Sequence, residues 1–200
     1  MDIHLQMQKH LQLKKLKKLS NMKLIDILTE KRYNTDKHTD HHYVQEFYEK
    51  EFADLREKEL NVLEIGILYG ESLKLWHDYF INSNIYGADN FHRVSEADVS
   101  NNLSKFNRIK QSLNVDTLRE KLQFDVQMDI IIDDGCHGPD AQVITYNNSK
   151  HLLKDGGIYI IEDIARPHEI STKIIKEGIP DLEWIPIDYK GELIGIIRNG

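Results

Sequence analysis

The residues 129–137, DIIIDDGCH, and 156–163, GGIYIIED, decide the fold of this chain. Each stretch is a short apolar run that ends abruptly in carboxylates. Runs of β-branched residues bounded by glycine and acids are typical of strands buried on both faces of a parallel sheet. The polar segment between them is long enough for one right-handed helical crossover. We therefore predict two parallel strands joined by a helix.

The acids at the ends of these strands predict a binding site. Open α/β sheets bind ligands beyond the carboxyl ends of their strands. We expect five side chains to meet there: Asp133, Asp134, His137, Glu162 and Asp163. So many carboxylates repel one another, and a divalent cation relieves that repulsion. The alternative is that these acids have no ligand, and only cap helices or lie at solvent-exposed loop ends.

Composition and charge limit the class of protein. The chain has 200 residues, 40% of them hydrophobic and 30% charged, which favours one soluble globular domain. The net charge of -7 argues against a nucleic-acid partner held through its phosphates. The single cysteine, Cys136, excludes an intrachain disulfide and fits a reducing compartment. No apolar run has the length of a membrane span, and no signal-peptide core is present, so we expect a cytoplasmic protein.

Residues 1–30 differ from the rest of the chain because leucines alternate with lysines. The spacing is compatible with an amphipathic helix. We interpret it as an N-terminal helical extension that packs on the domain or on another subunit, which predicts a homo-oligomer. A basic helix on an anionic membrane surface is the alternative. A second short helix is expected at 24–31.

The segment 33–43 is polar and rich in groups that bind ligands. Its three histidines lack the spacing and the cysteines of a zinc site. We expect a loop over a ligand cleft, with Thr35, Asp36 or Lys37 as polar contacts. The apolar positions between Val44 and Leu55 recur at helical spacing and predict a core helix.

A glycine turn follows the first predicted strand, 61–66. Gly66 and Gly70 permit a tight turn and a close approach of the backbone to a ligand, and Ser72 is a candidate cap for the next helix. The spacing is not G-x-G-x-x-G, which argues against a dinucleotide-dependent oxidoreductase. The second strand, 84–88, ends in Asp89, which is placed to accept hydrogen bonds from a ribose diol. A nucleoside-containing ligand is therefore expected.

Four stretches in this order, 62–66, 85–89, 129–137 and 156–163, resemble class I S-adenosylmethionine-dependent methyltransferases. Within that class the chain is most similar to the metal-dependent mycinamicin and macrocin sugar O-methyltransferases. The segment 33–43 also looks like a motif of that group. The resemblance covers roughly residues 31–165, and its Asp-Asp-Gly-x-His followed by Glu-Asp is the most specific part.

The resemblance implies a set of site residues. The Mg²⁺ ligands correspond to Asp134, Glu162 and Asp163, and the proposed base to His137. The remaining side chains are implied to hold S-adenosylmethionine: Thr35, Lys37, Glu64, Gly66, Tyr69, Ser72, Asp89, Asn90, Ser112 and Asp133. The family usually has an acid after the third strand, where this chain has Ile109-Lys110-Gln111-Ser112. We therefore expect Ser112 to hydrogen-bond the adenine.

The implied fold is an α/β, Rossmann-like, seven-stranded sheet, mostly parallel with an antiparallel last strand, and with helices on both faces. We expect residues 31–200 to form this domain, with its last two strands at 182–187 and 193–197. The segment 90–108 shows no strand pattern and was expected to be a mobile loop.

The implied reaction transfers a methyl group to a hydroxyl of a sugar or glycosylated small molecule, assisted by Mg²⁺. A chelating pair of hydroxyls also occurs in catechols, which remain an alternative. Arg166 and His168 are further candidate substrate contacts. A nucleic-acid methyltransferase would need a basic surface that this composition does not favour. A catalytically silent binding module is the alternative from a different class.

Overall fold

A computed structural model describes Met7, 22–164 and 169–200 of the chain. Most of the predicted amphipathic extension lies outside these described residues, as do Arg166 and His168. The second short helix of the extension is confirmed at Leu24–Lys31. Among the described residues, no helix combines the length and the apolar composition needed to cross a bilayer.

Seven strands form a single sheet in the order β3-β2-β1-β4-β5-β7-β6. Neighbours are parallel except that β7 runs antiparallel to both β5 and β6, so the predicted fold class is confirmed. The strands are β1 Asn61–Ile65, β2 Asn84–Asp89, β3 Ile109–Asn114, β4 Met128–Asp133, β5 Leu153–Ile164, β6 Glu183–Pro186 and β7 Leu193–Arg198.

Helices cover both faces of the sheet. The described α-helices are α1 Leu24–Lys31, α2 Asp36–Thr39, α3 Glu49–Glu51, α4 Glu71–Tyr79, α5 Glu96–Leu103, α6 Pro139–Ser149 and α7 Glu169–Gly178. The predicted core helix between Val44 and Leu55 is helical but irregular. It consists of a π-helical segment Val44–Tyr48, then α3, then a 3₁₀ turn Ala53–Leu55.

The alternating side chains of β4 divide the core into two layers. Ile130 and Ile132 pack with α1, α4 and the π-helical segment, whereas Met128 and Ile131 pack on the opposite face. Ile130, Ile131 and Ile132 are at most 1% exposed, as expected for a central strand covered on both sides. This burial fixes the register, so the carboxylates that end β4 and β5 meet at one edge of the sheet.

Two local predictions were wrong. The segment 90–108 contains α5, whose N-terminus is capped by the Ser95 hydroxyl, which accepts a hydrogen bond from the Asp98 backbone N–H at 3.2 Å. Only Val99 and Leu103 of this helix are buried, so its apolar pattern was too sparse to show. Helix α4 begins at Glu71 after Gly70, which has a φ of 77°, so Ser72 lies inside the first turn and is not the cap.

The end of β5 is irregular. Its pairing with β7 shifts register between Ile161 and Ile164, and Asp163 has a φ of 54° in the left-handed region. Two successive strand residues normally point to opposite faces of a sheet. The bulge and the left-handed residue change the direction of the backbone there. As a result, the side chains of Glu162 and Asp163 both lie at the carboxyl edge of the sheet.

Candidate functional site

A cleft of about 620 Å³ lies at the carboxyl edge of the sheet. Its walls come from the glycine turn after β1, the acid that ends β2, the residues after β3, the loop 134–137 after β4, and the segment 34–40. This is the place where an open α/β sheet binds its ligand. Six of the predicted cofactor contacts line it: Thr35, Gly66, Tyr69, Ser72, Asp89 and Asn90.

Gly66 is required by the backbone of the neighbouring strand. A Cβ at this position would lie 2.1 Å from the Asp134 carbonyl oxygen, and its φ is +83°. Any side chain would therefore push β1 away from the loop after β4. The glycine that was predicted for close approach to a ligand thus also brings two protein segments together.

Asp89 holds the glycine turn in place. One carboxylate oxygen accepts hydrogen bonds from the backbone N–H groups of Ile67 and Leu68, at 2.9 and 3.0 Å. The other accepts from the Phe91 N–H at 2.8 Å. A carboxylate has about four lone-pair sites, and three are used here. Asp89 lines the cleft, but it has little remaining capacity for the two hydroxyls of a ribose.

The residues after β3 differ from the sequence interpretation. The strand continues to Asn114, and Ser112 pairs with Gly87 in its middle, away from the main cleft. The acid that follows this strand is Asp116, which lines the cleft together with Thr117. The polar composition of β3 hid its true end, and the expected acid therefore exists four residues later than Ser112.

Three other predicted cofactor contacts, Lys37, Glu64 and Asp133, do not line the cleft. Lys37 and Glu64 are fully buried, and Asp133 is 2% exposed. We call the group Lys37, Tyr48, Glu64 and Glu162 the inner cluster. Its centre is the Lys37 ammonium, which contacts Glu162 directly and lies 3.1 Å from Glu64 Oε1. Tyr48 donates a hydrogen bond to the other oxygen of Glu162, and Trp76 donates to Glu64 at 2.9 Å.

In the inner cluster, one ammonium contacts two buried carboxylates and partly offsets their charge. Burial alone would lower the pKa of Lys37, but Asp134, Glu162 and Glu64 raise it well above its usual value, so the ammonium stays charged. Burial raises the pKa of Glu162 and that of Glu64, and Lys37 opposes both shifts. Burying these carboxylates is costly, and the nearby Lys37 ammonium offsets part of that cost.

We call the group Asp134, His137 and Asp163 the outer cluster. His137 Nε2 lies 3.5 Å from Asp134 Oδ1 and 3.2 Å from Asp163 Oδ2. The second oxygen of Asp134 accepts a hydrogen bond from Lys37 at 2.6 Å, so Asp134 joins the two clusters. The His137 side chain is 51% exposed and lines the cleft, whereas the inner cluster is closed to solvent.

The charges of the outer cluster act on one another. The hydrogen bond to Asp134, together with the nearby Asp163 carboxylate, raises the pKa of His137 although burial opposes the shift. Burial works against ionised Asp134 too, but Lys37 and His137 lower the pKa of that carboxyl. Burial raises the pKa of Asp163, and Asp134 adds to the effect. Both acids thus increase the affinity of His137 for a proton.

The pKa of Asp133 is raised, whereas the pKa of the adjacent Asp134 is lowered. Asp133 is buried on the other side of β4, where its Oδ1 accepts one hydrogen bond from the Gly135 N–H at 3.2 Å, and its Oδ2 has no protein partner among the described residues. Burial raises the pKa of Asp133 to about 7. Two neighbouring acids therefore differ because one faces a lysine and the other faces the core.

The outer cluster fits a divalent cation. Asp134, His137 and Asp163 each offer a ligand atom, and these atoms lie within 4.8 Å of one another. Carboxylate oxygens are the ligands that Mg²⁺ prefers. The third predicted ligand, Glu162, is instead directed to Lys37 and Tyr48. The structure thus brings together two of the three predicted metal ligands with the predicted base.

Three residues at the edge of the outer cluster were not assigned to the site from sequence. His41 Nδ1 lies 3.3 Å from Asp163 Oδ1, the Tyr43 hydroxyl donates to the same oxygen at 2.6 Å, and Glu192 contacts both side chains. His41 belongs to the polar segment that was expected to fold over the cleft. Glu192 lies in the turn before β7, and no sequence signal connects it with Asp163.

The sequence of this chain is similar to those of known O-methyltransferases. No profile of a known protein family matches it. The tetracenomycin-C 3'-O-methyltransferase of Streptomyces olivaceus, which acts on an 8-demethyl-8-(2-methoxy-alpha-L-rhamnosyl) form, is 32% identical over 143 residues, covering 66% of this chain and 35% of that protein. Mycinamicin VI 2''-O-methyltransferase of Micromonospora griseorubida is 28% identical over 155 residues, covering 66% of this chain and 34% of that protein.

A solved structure shows the same fold. MycE methyltransferase from the mycinamycin biosynthetic pathway, in complex with Mg and SAH, superposes with a TM-score of 0.67 and 21% identity over 90% of this chain and 55% of that one. The chain spans about a third of the length of the curated relatives that it matches. The chain therefore has the class I S-adenosylmethionine-dependent methyltransferase fold, and its curated relatives are sugar O-methyltransferases.

Proposed function

We propose that this protein transfers the methyl group of S-adenosylmethionine to a hydroxyl of a sugar or glycosylated small molecule, with the help of a divalent cation. The observation that carries the proposal is the position of the outer cluster. Asp134 and His137 line the same cleft as the glycine turn and Asp89, so a donor site and a proton-accepting site share one cavity.

The donor is assigned to the part of the cleft between the glycine turn and Asp116. Asp89 fixes that turn through two backbone N–H groups. The exposed Leu68 and Tyr69 side chains provide apolar surface beside it. Asp116 supplies the acid that the sequence interpretation expected after the third strand. We assign Asp116 rather than Ser112 to the adenine end.

The cation is assigned to Asp134 and Asp163. The Lys37 ammonium contacts both carboxylates of the inner cluster and one oxygen of Asp134, whereas the other Asp134 oxygen and Asp163 Oδ2 face the His137 imidazole. Bound S-adenosylmethionine would supply an electrophilic methyl on a sulfonium, and a bound divalent cation would lower the pKa of an acceptor hydroxyl. Asp134 and Asp163 would orient that hydroxyl by fixing the ion.

His137 is assigned as the general base. As the methyl group leaves the sulfonium, which would become a neutral thioether, and bonds to the acceptor oxygen, His137 Nε2 would take the hydroxyl proton. The two carboxylates that raise the pKa of His137 stabilise the resulting imidazolium. The cleft walls contribute by holding the reacting groups in line, which can supply much of the rate.

We infer the class of acceptor from the substrates of the related proteins. The two that are described above act on a rhamnosyl tetracenomycin and on mycinamicin VI, as their names state. Since the matched region is only about a third of each relative, the acceptor of this chain is a proposal. The cytoplasmic location and the homo-oligomer stay predictions from the sequence.

A binding and activity experiment tests the function. We expect calorimetry to detect S-adenosylhomocysteine and Mg²⁺ binding, and a panel of glycosylated small molecules and catechols with labelled donor to yield a methylated sugar. Asp134→Ala should abolish turnover while leaving S-adenosylhomocysteine affinity nearly unchanged. Full wild-type turnover in EDTA would contradict the cation role, and failure to bind either ligand would indicate a silent module.

A further inference from the structure

We propose that Glu192, in the turn between the last two strands, is a positioning residue for the cation ligand Asp163. The inference rests on the proposed function because it takes Asp163 as a ligand. Glu192 does not touch His137 or the cleft. It acts through His41 and Tyr43, which lie between it and Asp163.

The contacts on Asp163 are divided between its two oxygens. Oδ2 faces His137 at 3.2 Å, on the side of the outer cluster. Oδ1 accepts a hydrogen bond from the Tyr43 hydroxyl at 2.6 Å and lies 3.3 Å from His41 Nδ1. Tyr43 also accepts a hydrogen bond from the Asp163 backbone N–H at 3.3 Å. Oδ1 is therefore the held oxygen, and Oδ2 is the one directed towards a cation.

Glu192 orients His41 and lies beside Tyr43. Its Oε2 is 2.6 Å from His41 Nδ1 and 3.0 Å from the Tyr43 hydroxyl oxygen, whose one proton makes its shorter hydrogen bond to Asp163. Both neighbours of Nδ1 are carboxylate oxygens, which only accept hydrogen bonds, so Nδ1 carries a proton. The His41 ring also stacks on Tyr43, with 5.1 Å between ring centroids. Without Glu192, His41 would lose its shortest contact and its orientation.

Such indirect support matters at Asp163 because its backbone is strained. A φ of 54° at a non-glycine residue is costly and persists only where the surroundings hold it. Groups that orient a metal ligand from behind contribute to metal affinity, and their removal typically costs 10–100-fold. Glu192 is the residue through which the C-terminal strand pair reaches the cation ligand.

A second glutamate provides a matched control. Glu46 accepts hydrogen bonds from the backbone N–H groups of Asp188 and Tyr189, at 2.6 and 3.3 Å, and so attaches the same turn to the π-helical segment that follows His41 and Tyr43. Among the described residues, Glu46 forms no hydrogen bond or ion pair with Asp163, and the His42 ring stacks on Tyr189 beside it. Glu46→Ala removes one negative charge and one attachment of the turn, but not the support of Asp163.

The test measures Mn²⁺ affinity of the full chain by electron paramagnetic resonance. We expect Glu192→Ala to weaken Mn²⁺ binding about tenfold. Glu192→Gln keeps an acceptor oxygen for His41, and Glu46→Ala keeps Glu192 itself, so both should stay within about threefold of wild type. Affinity for S-adenosylhomocysteine and the melting temperature, measured on every variant, should not follow the Mn²⁺ series.

The outcomes separate this inference from the proposed function. A wild-type chain that binds no Mn²⁺ overturns the cation site, and the inference falls with it. If wild type binds Mn²⁺ and Glu192→Ala matches Glu46→Ala, Glu192 only attaches the turn, and the inference is wrong. If Glu192→Gln is as weak as Glu192→Ala, its charge alone matters, and positioning is wrong. His41→Ala, expected to lose about tenfold as well, decides the case if Glu192→Ala does not fold.

Discussion

The inner and outer clusters lie side by side at one edge of the sheet, yet they handle negative charge in different ways. In the inner cluster, a fully buried lysine contacts the carboxylates, and none of the groups reaches the cleft. In the outer cluster, Asp134 and Asp163 face a half-exposed imidazole. We infer that the buried lysine stabilises the fold, whereas the carboxylates that face the half-exposed imidazole are available to bind a cation.

Asp134 shows how the two clusters are connected. One of its oxygens belongs to Lys37 and the other faces His137. Lys37 lowers the pKa of Asp134, which keeps the carboxylate ionised and ready for a cation. The inner cluster thus prepares the outer one without entering the cleft. We therefore expect substitutions in the inner cluster to change mainly the stability, and substitutions in the outer cluster to change mainly binding and turnover.

The largest effect is expected from Lys37→Met. Removing the ammonium leaves buried carboxylates without a counter-charge, which should lower the free energy of unfolding by about 3–5 kcal/mol. The measurement is urea denaturation. Lys154→Met is the control, since Lys154 pairs with Asp129 but is 38% exposed, and it should cost less than about 1 kcal/mol. Equal losses for the two variants would remove the distinction between a structural and a binding cluster.

His137→Ala tests the outer cluster. We expect kcat to fall by roughly 10²-fold, or about 2.7 kcal/mol in the barrier, because the hydroxyl proton loses its acceptor. The free energy of unfolding should change little, since the side chain is half-exposed. The assay uses the acceptor found in the panel, and His151→Ala at an exposed site is the control. A change in kcat of less than threefold would assign the base elsewhere.

Asp133→Asn sharpens the contrast between neighbouring acids. Burial raises the pKa of Asp133 from 3.8 to about 7, so the folded state binds a proton that the unfolded state has released. This contribution to stability is present below the unfolded pKa and is lost as the pH rises through the folded one. Between pH 5 and pH 8 wild type should lose on the order of 2 kcal/mol relative to the variant.

The pH series needs only denaturation curves of the two proteins at matched ionic strength. Asparagine cannot ionise, so the difference between the two curves isolates the Asp133 carboxyl from the other acids at the edge. A difference that does not change over this pH range would mean that Asp133 ionises normally despite its burial.

The smallest effects separate two tyrosines. Tyr48→Phe removes the donor to buried Glu162 and should cost about 1–2 kcal/mol of stability with little change in Mn²⁺ affinity. Tyr43→Phe removes the donor to Asp163 Oδ1 and should mainly weaken Mn²⁺ binding, by about threefold to tenfold. Calorimetry and thermal unfolding measure the two properties. The opposite assignment would reverse the roles of the clusters.

Several features of the site were accessible from the sequence. The acids that end β4 and β5 follow apolar runs directly, so their meeting at one sheet edge follows from parallel pairing. The glycine turn and Asp89 were placed correctly beside the cleft because both are bounded by strong strand signals. The antiparallel end of the sheet was also predicted, and the turn between its two strands contains Lys190 and Gly191, which both have positive φ.

Other features needed the packed structure. The end of β3 was missed because its side chains are polar and only partly buried, so Asp116 was overlooked in favour of Ser112. Lys37 was expected in the cleft because it lies in a polar segment. Its side chain instead crosses into the core, where it contacts residues 97 and 125 positions away in the chain.

The sequence by itself determined the sheet, its carboxyl edge and the residues that carry charge to that edge, because hydrophobic periodicity fixes strands and strand pairing fixes where they end. Only the tertiary structure decided how those charges are shared. Glu162 belongs to Lys37 and Tyr48, Asp163 is oriented from the last strand pair, and Asp133 is turned into the core. Which side chains pair depends on distances of a few ångströms between segments that are far apart in the chain. Local sequence patterns do not predict such distances.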